Sequence, residues 1–348
     1  MKTACSIFLS ICVATILAFP SEVYAWTRDQ FTVAPNLMKL EMLDPDMHIP
    51  EVRRAAGRLA YQEGFGSFRP EKRPSRWALR PILNYDININ NSFASEAIHL
   101  GGLDFVVDEK FRRQSAPVIG ASLAGSHLWG LSRKLSFSFD HTSRYVHAWN
   151  ANFDKWSFVI RPCITRFLSG TERAFACASA ETAVAELSRK DERSIIFGAE
   201  SAYVFSSYFQ SSRISIERAK IDDGVKYFQN SVSYRHETLL GNATLVGVQA
   251  KIYQSVDRTF ASRESFSIFG SKVFEGRLFE IGYIQENRRG GTFLGEARKE
   301  RLQGIVLSAR VTDTLSVRVG RFRNRASNEF NEDQFAIFDL NFDLLAGR

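Results

Sequence analysis

The residue types that could do chemistry in this chain are few and scattered. Its six histidines, His48, His99, His127, His141, His147 and His236, stand singly. Only Asp140, His141 and Ser143 bring a nucleophile, a base and an acid close together, near the outer end of one extended segment. In a strand, residues 141 and 143 share a face, so a Ser–His contact is open to them. Residues 140 and 141 point to opposite faces, which leaves the base without its orienting acid. The group reads as a polar strand end below a loop. No glycine-rich phosphate loop follows a parallel strand, and Gly290 and Gly291 fall in a connection, where they ease a turn. These observations predict no cofactor, no metal site and no enzymatic activity.

Two of the four cysteines fall in an N-terminal apolar run, which leaves Cys163 and Cys177. They flank a turn centred near Gly170, and in a tight antiparallel hairpin they fall opposite each other on the inward phase. A cross-strand disulfide is open to them in an oxidising compartment. Neither histidine nor further cysteine accompanies them at zinc-ligand spacing.

A larger polar set is defined by phase. Arg161, Glu200, Glu217, Gln249, Lys251, Glu280, Arg310, Arg318, Asp339 and Asn341 each occupy the polar phase of a period-two segment. The period is clearest between residues 302 and 344, where Leu315, Val317 and Val319 alternate with Ser316, Arg318 and Gly320, and Leu340, Phe342 and Leu344 with Asn341 and Asp343. Long strands, apolar outward and polar inward, repeated to the C-terminus, predict an all-β fold: a transmembrane up-and-down antiparallel β-barrel. A charge on the lipid face costs roughly 2–4 kcal/mol at mid-membrane, so the polar set is expected inside the lumen. It would form a ladder of paired charges there, or, as a second reading, a selectivity filter.

The elements that must position these residues are fourteen such segments, from 77–88 to 333–344, an even number as bacterial barrels require. The apolar patch at 98–107 is assigned to the first long loop. Connections near 129–131, 168–170, 207–209, 240–241, 275–276 and 312–313 read as short turns. Those near 89–114, 145–152, 185–192, 222–225, 256–263, 289–299 and 325–332 read as mostly longer and charged. The alternation predicts short turns and both termini in the periplasm, with long loops outside. The 29 Phe, 10 Tyr and 5 Trp suit lipid-facing strands and interfacial girdles.

Residues 1–25 carry a lysine, an apolar run and Val23-Tyr24-Ala25 before Trp26, which predicts a secretory signal peptide. Lipoprotein processing at Cys12 is set aside, because Ile11 stands where a small residue is expected. Residues 26–75 lack period-two alternation. Pro50, Val52, Ala55, Ala56, Leu59 and Ala60 follow helical spacing to Gly64, and 66–75 reads as a linker. A short periplasmic helix with its linker is expected over 26–75, with a plug in the barrel mouth as the second reading, and the barrel itself over 76–348. No apolar run reaches the length of a helical span. The net charge of +7 is spread as single Arg and Lys residues, so no nucleic-acid partner is expected. The sharper reading of that charge is a lumen that favours anionic cargo, or loops that meet the anionic outer leaflet.

The first barrel segment ends Tyr85-Asp86-Ile87-Asn88-Ile89-Asn90, and the last hairpin carries Arg325-Ala326-Ser327-Asn328. Over about residues 77–345 the chain resembles the C-terminal barrel of the surface lipoprotein assembly modifiers. In that family a Tyr-Asp-Ser-Asn-Ile-Asn motif closes the first strand and an Arg-x-x-Ser-Asn motif precedes the last. The motif residues carried over are Tyr85, Asp86, Asn88, Ile89, Asn90, Arg325, Ser327 and Asn328. What the resemblance implies is a translocator in the bacterial outer membrane that delivers lipoproteins or soluble proteins to the cell surface. Its partners would be a secreted or surface lipoprotein cargo, outer-membrane lipid, and the barrel-assembly machinery during insertion. The alternative expectation is a passive porin-like channel.

Overall fold

A computed structural model describes residues 33–34, 71–72, 75–90, 96–100, 103–150, 152–169, 171–205, 208–240, 243–293, 295–312, 314–327 and 332–342. The expected signal peptide, the expected helix and most of the linker lie outside them, as do Gly170, Gly241, Asp313, Asn328, Asp343 and Leu344.

In chain order the strands begin with the short β1 (Glu71–Lys72) and β2 (Arg76–Asp86), followed by β3 (Ala97–Leu100) and β4 (Leu103–Val106). Then come β5 (Ala116–Ser132), β6 (Leu135–Ala148), β7 (Phe153–Ser169), β8 (Glu172–Ala185), β9 (Ser188–Phe205) and β10 (Tyr208–Asp222). The series ends with β11 (Lys226–Leu240), β12 (Thr244–Tyr253), β13 (Ala261–Phe274), β14 (Arg277–Phe293), β15 (Glu296–Arg310), β16 (Leu315–Ala326) and β17 (Asp333–Phe342). Strand β2 and the thirteen strands β5–β17 each pair with their chain neighbours, and β17 returns to β2, which closes a fourteen-stranded antiparallel barrel. Strand β1 adds two residues beside β5, and β3–β4 is a separate hairpin within the first long connection, over the apolar patch assigned to that loop.

The alternation read from the sequence sets which side chains meet lipid. On β10, Ile214 and Ile216 are more than half exposed, while Arg213, Ser215 and Glu217 take the other phase. The apolar phase of every later strand is exposed likewise, through Val232, Val246, Phe266, Ile281, Leu307, Val319 and Phe338. The other phase converges: Lys190, Glu192, Glu217, Gln229, Lys251 and Glu286, from five different strands, line one cavity. Only the inside of a closed sheet brings so many strands together, so this phase faces the lumen and the apolar phase the bilayer, as in transmembrane barrels.

Closure is uneven. Most neighbouring strands share ten or more register pairs, but β17 and β2 share three, Asp339↔Asn84, Leu340↔Leu83 and Asn341↔Ile82. Proline is one reason: Pro81 stands next in β2 and has no N–H to give the ladder.

The expected contrast between short and long connections narrows. Strand β5 runs through the expected turn at 129–131 to Ser132, and the turn falls at Arg133–Lys134. At the opposite end, the stretches near 185–192 and 289–299 are almost entirely strand, joined through 186–187 and 294–295, and 145–152 contributes only 149–152. These stretches are rich in charge, which read as loop. Backbone pairing does not require apolar side chains, however, and the ladder continues past the bilayer into water. Longer connections remain at 87–115, 254–260 and 327–332, all at that end. At the other end Glu275 and Gly276, with φ of 51° and 74°, make the two-residue turn whose twist suits a hairpin.

Candidate functional site

The lumen is the site the fold builds, and the end with the short turns carries an apolar patch on its inner wall. Ala202, Phe209, Leu239, Leu245 and Val273, from five strands, turn inward there, with Phe167, Phe269 and Leu278 packed around them. Val33 and Ala34, from ahead of the barrel, pack against this patch on the neighbouring strands β9–β13 and are 6% and 5% exposed. Burying apolar side chains removes surface from water at about 25 cal/mol per Å². The patch is therefore an apolar seat on which these two residues rest.

Above the patch runs a row of charge. Arg173 on β8 stands opposite Glu200 on β9, Glu200 opposite Arg213 on β10, and Arg213 opposite Arg235 on β11. Arg173 Nη2 donates to Glu200 Oε2 at 3.0 Å, with Arg213 Nη1 3.9 Å from the same oxygen. Arg235 bonds Glu237, two residues nearer the apolar patch. Each outer arginine has an aromatic floor. The Arg213 guanidinium lies 4.1 Å from the centre of the Phe175 ring, and that of Arg235 lies 4.8 Å from Phe269. The rings lie flat because the strand beneath has glycine: a Cβ at Gly198 would stand 2.3 Å from Phe175 Cζ, and one at Gly247 would stand 2.2 Å from Phe269 Cζ. Cation–π contact and a missing side chain together fix where the guanidinium groups point.

Towards the outer mouth the lumen widens into a cavity of about 460 Å³, and a second of about 1100 Å³ lies at the rim. Their walls hold paired charges. Lys251 Nζ donates to Glu217 Oε2 at 2.6 Å, Arg288 Nε to Glu286 Oε1 at 2.9 Å, and Lys190 Nζ lies 2.7 Å from Glu192 Oε2. Arg298 meets Glu300 at 2.6 Å and lies 3.8 Å over the Phe260 ring. These pairs join neighbouring residues on the wall, so they line the passage without bridging it.

The first long connection folds back into the outer mouth. Ile89 is fully buried against Ile82, Ala116, Val118, Val146 and Ala148, all on the inward phase. Asn90, also fully buried, donates to the Arg112 carbonyl at 2.6 Å and accepts from the Gln114 amide at 3.0 Å. Lys155 donates to Asp86 Oδ2 at 2.8 Å and to the Asn88 carbonyl at 2.6 Å. Tyr85 faces outward and bonds Ser115 at 3.0 Å. At the other motif, Ser327 Oγ accepts from the Lys299 amide and donates to the Ala297 carbonyl, while Arg325 faces outward. The motif residues thus tie loops to the rim.

The structure places Arg161, Glu200, Glu217, Lys251, Glu280, Arg310, Arg318 and Asp339 on the inward phase. Glu280 accepts from Ser308, and Asp339 takes both Arg318 and Asn84. Cys163 and Cys177 stand directly opposite, with Cα atoms 4.1 Å apart and the sulfurs bonded. Asp140 turns inward and His141 outward, where its ring packs 5.0 Å from Trp77 and 5.6 Å from His127 in the inner aromatic girdle. Missed from the sequence were Arg173, Arg213 and Arg235, whose inward phase could have been counted from Glu200. The seat of Val33 and Ala34 has no sequence signal.

No family model matches the chain, and no curated protein does. Among solved structures, Pseudomonas aeruginosa OccK2 (OpdF) in complex with glucuronate aligns over 80% of this chain and 100% of its own, at 11% identity and a TM-score of 0.39. The outer membrane protein opdK from the same species aligns over 80% and 100%, at 10% identity and 0.41. Acinetobacter baumannii OccAB4 aligns over 78% and 98%, at 8% identity and 0.41. Scores of this size carry no inference about what passes through the barrel.

Proposed function

We propose that this protein is an outer-membrane channel for small anionic solutes, held shut at its inner end by its own residues 33–34. The observation that carries the reading is the row Arg173–Glu200–Arg213–Arg235, in which Arg173 and Arg213 share the Glu200 carboxylate and Arg235 holds Glu237, three guanidinium groups against two carboxylates. In a passage with low-dielectric walls, a fixed excess of one sign concentrates the opposite ion. A solute carboxylate arriving there would meet fork-shaped donors already oriented by Phe175 and Phe269.

The test is uptake into proteoliposomes that carry the full chain or its V33D/A34D variant. A sugar acid should enter faster than the neutral sugar of the same size, and the preference should disappear in R213Q/R235Q. Equal entry of both in every variant would remove the anionic reading.

A second reading, the protein translocator, draws on the motif resemblance and on the seat of Val33 and Ala34, since a pore that passes chains must be shut at rest. It requires that deletion of the gene strand a surface protein in the periplasm.

A further inference from the structure

The outward phase changes character abruptly on one side of the barrel. On β16 it reads Val317, Val319, then Arg321, Arg323 and Arg325, and on β15 it reads Leu307, Ile305, Gln303, then Arg301 and Lys299. Arg321 stands opposite Ile305, Arg323 opposite Gln303 and Arg325 opposite Arg301, so the cations begin lower on β16 than on β15 and the two strands are both cationic at the level of Arg325. Below that level Tyr283 and Gln285 of β14 bond Gln303, a polar row that marks the upper limit of the apolar belt. The cations lie at the end that carries the long connections. Arg321, Arg323, Arg325 and Lys299 are exposed, and none of them has an ion pair among the described residues. Arg301 donates to Asn287, which in turn donates to Glu264, the one outward carboxylate on the adjoining strands β13 and β14.

We propose that this face binds a phosphate-bearing lipid of the outer leaflet, headgroup on the cationic ladder and acyl chain on the apolar strands below. Charge complementarity selects the headgroup. Strands lie about 4.8 Å apart and rise about 3.4 Å per residue, so Arg321 to Arg325 spans about 14 Å, room for two phosphates. Arginine suits phosphate because its planar fork gives two parallel hydrogen bonds. The acyl chain has a seat as well. A groove of about 500 Å³ on the same outward face is lined by Gly270, Phe279, Ile281, Leu307, Val317 and Val319, and it begins directly below Arg321. A free anion would need the ladder alone, whereas the groove adds a requirement for a lipid.

The experiment measures binding of full-length protein in detergent to lipid A with two phosphates, to its dephosphorylated form and to inorganic phosphate, by native mass spectrometry and competition. The two-phosphate lipid should bind, and the dephosphorylated form and free phosphate should not compete. Each cation near an anionic lipid surface contributes about 1 kcal/mol, so R321Q/R323Q/R325Q should weaken binding by about tenfold or more. The charge-keeping R321K/R323K/R325K should retain most of it. Folding of each variant is checked by its heat-dependent gel shift, and the smaller R323Q/R325Q pair serves if the triple variant does not fold. Equal binding of the dephosphorylated lipid, full competition by inorganic phosphate, or unchanged binding in the glutamine variants would overturn the proposal. None of these outcomes depends on whether solutes pass through the lumen, so this site and the channel reading fail separately.

Discussion

Asn84 on the first barrel strand donates to Asp339 on the last at 2.7 Å, and the other oxygen of that carboxylate takes Arg318 at 2.9 Å. The seam where the barrel closes is thus held as much by lumen side chains as by its three backbone register pairs. The Asp339→Ala variant removes the acceptor from both donors. A charge-assisted hydrogen bond is worth about 1.5–3 kcal/mol, and the half-exposed Arg318 places this one near the lower figure. The heat-dependent gel shift of D339A should move to lower temperature, with D339N intermediate. An unchanged transition would show that backbone pairing alone holds the seam.

Lys155 pins the turn that begins the first long connection, through Asp86 and the Asn88 carbonyl. In the Lys155→Met variant the connection over 87–115 should become open to protease from the outer side, with the barrel itself intact. Resistance equal to the parent would assign the loop's fold to Ile89 and Asn90 alone.

Much of this was legible in the sequence, because period-two alternation survives whatever the strands pack against. Fourteen strands could be counted from Leu79, Ile216 or Val319 and their polar neighbours, and the inward phase of Glu217 and Asp339 followed from the same count. Boundaries were less legible. Residues such as Arg189, Asp191 and Arg289 look like loop by composition, yet pairing continues through them above the bilayer. The seat of Val33 and Ala34 was illegible, since two small apolar residues carry no pattern and their meaning lies in a patch drawn from five strands. The outer mouth was half legible: the motif from Tyr85 to Asn90 stood out, but not that Ile89 and Asn90 would be buried within the rim.

Cys163 and Cys177 face each other within the lumen. Protein purified without reductant should resist maleimide labelling at both positions and yield one cross-linked peptide pair in mass spectrometry. Two labelled thiols would show that the pair is reduced in the mature protein.

Orientation follows from the ends at which connections fall. An epitope inserted after Gly224, in the connection between β10 and β11, should be reached by antibody on intact cells. One inserted after Gly276 should be reached only after permeabilisation. Neither glycine has neighbouring atoms that an insertion would strike. Labelling of the Gly276 site on intact cells would invert the barrel and move the cationic ladder to the inner leaflet.

The central claim, that an inward arginine row selects anions once Val33 and Ala34 leave their seat, is tested most directly by reversal potential in planar bilayers under a salt gradient. The parent protein should conduct rarely. V33D/A34D places carboxylates against an apolar patch, where burying an unpaired charge is costly, so it should conduct steadily with a reversal potential of the sign for anion preference. Adding R213Q/R235Q to that variant should move the potential through zero towards cation preference. Steady conductance with the same reversal potential in both variants, or none in either, would contradict the account.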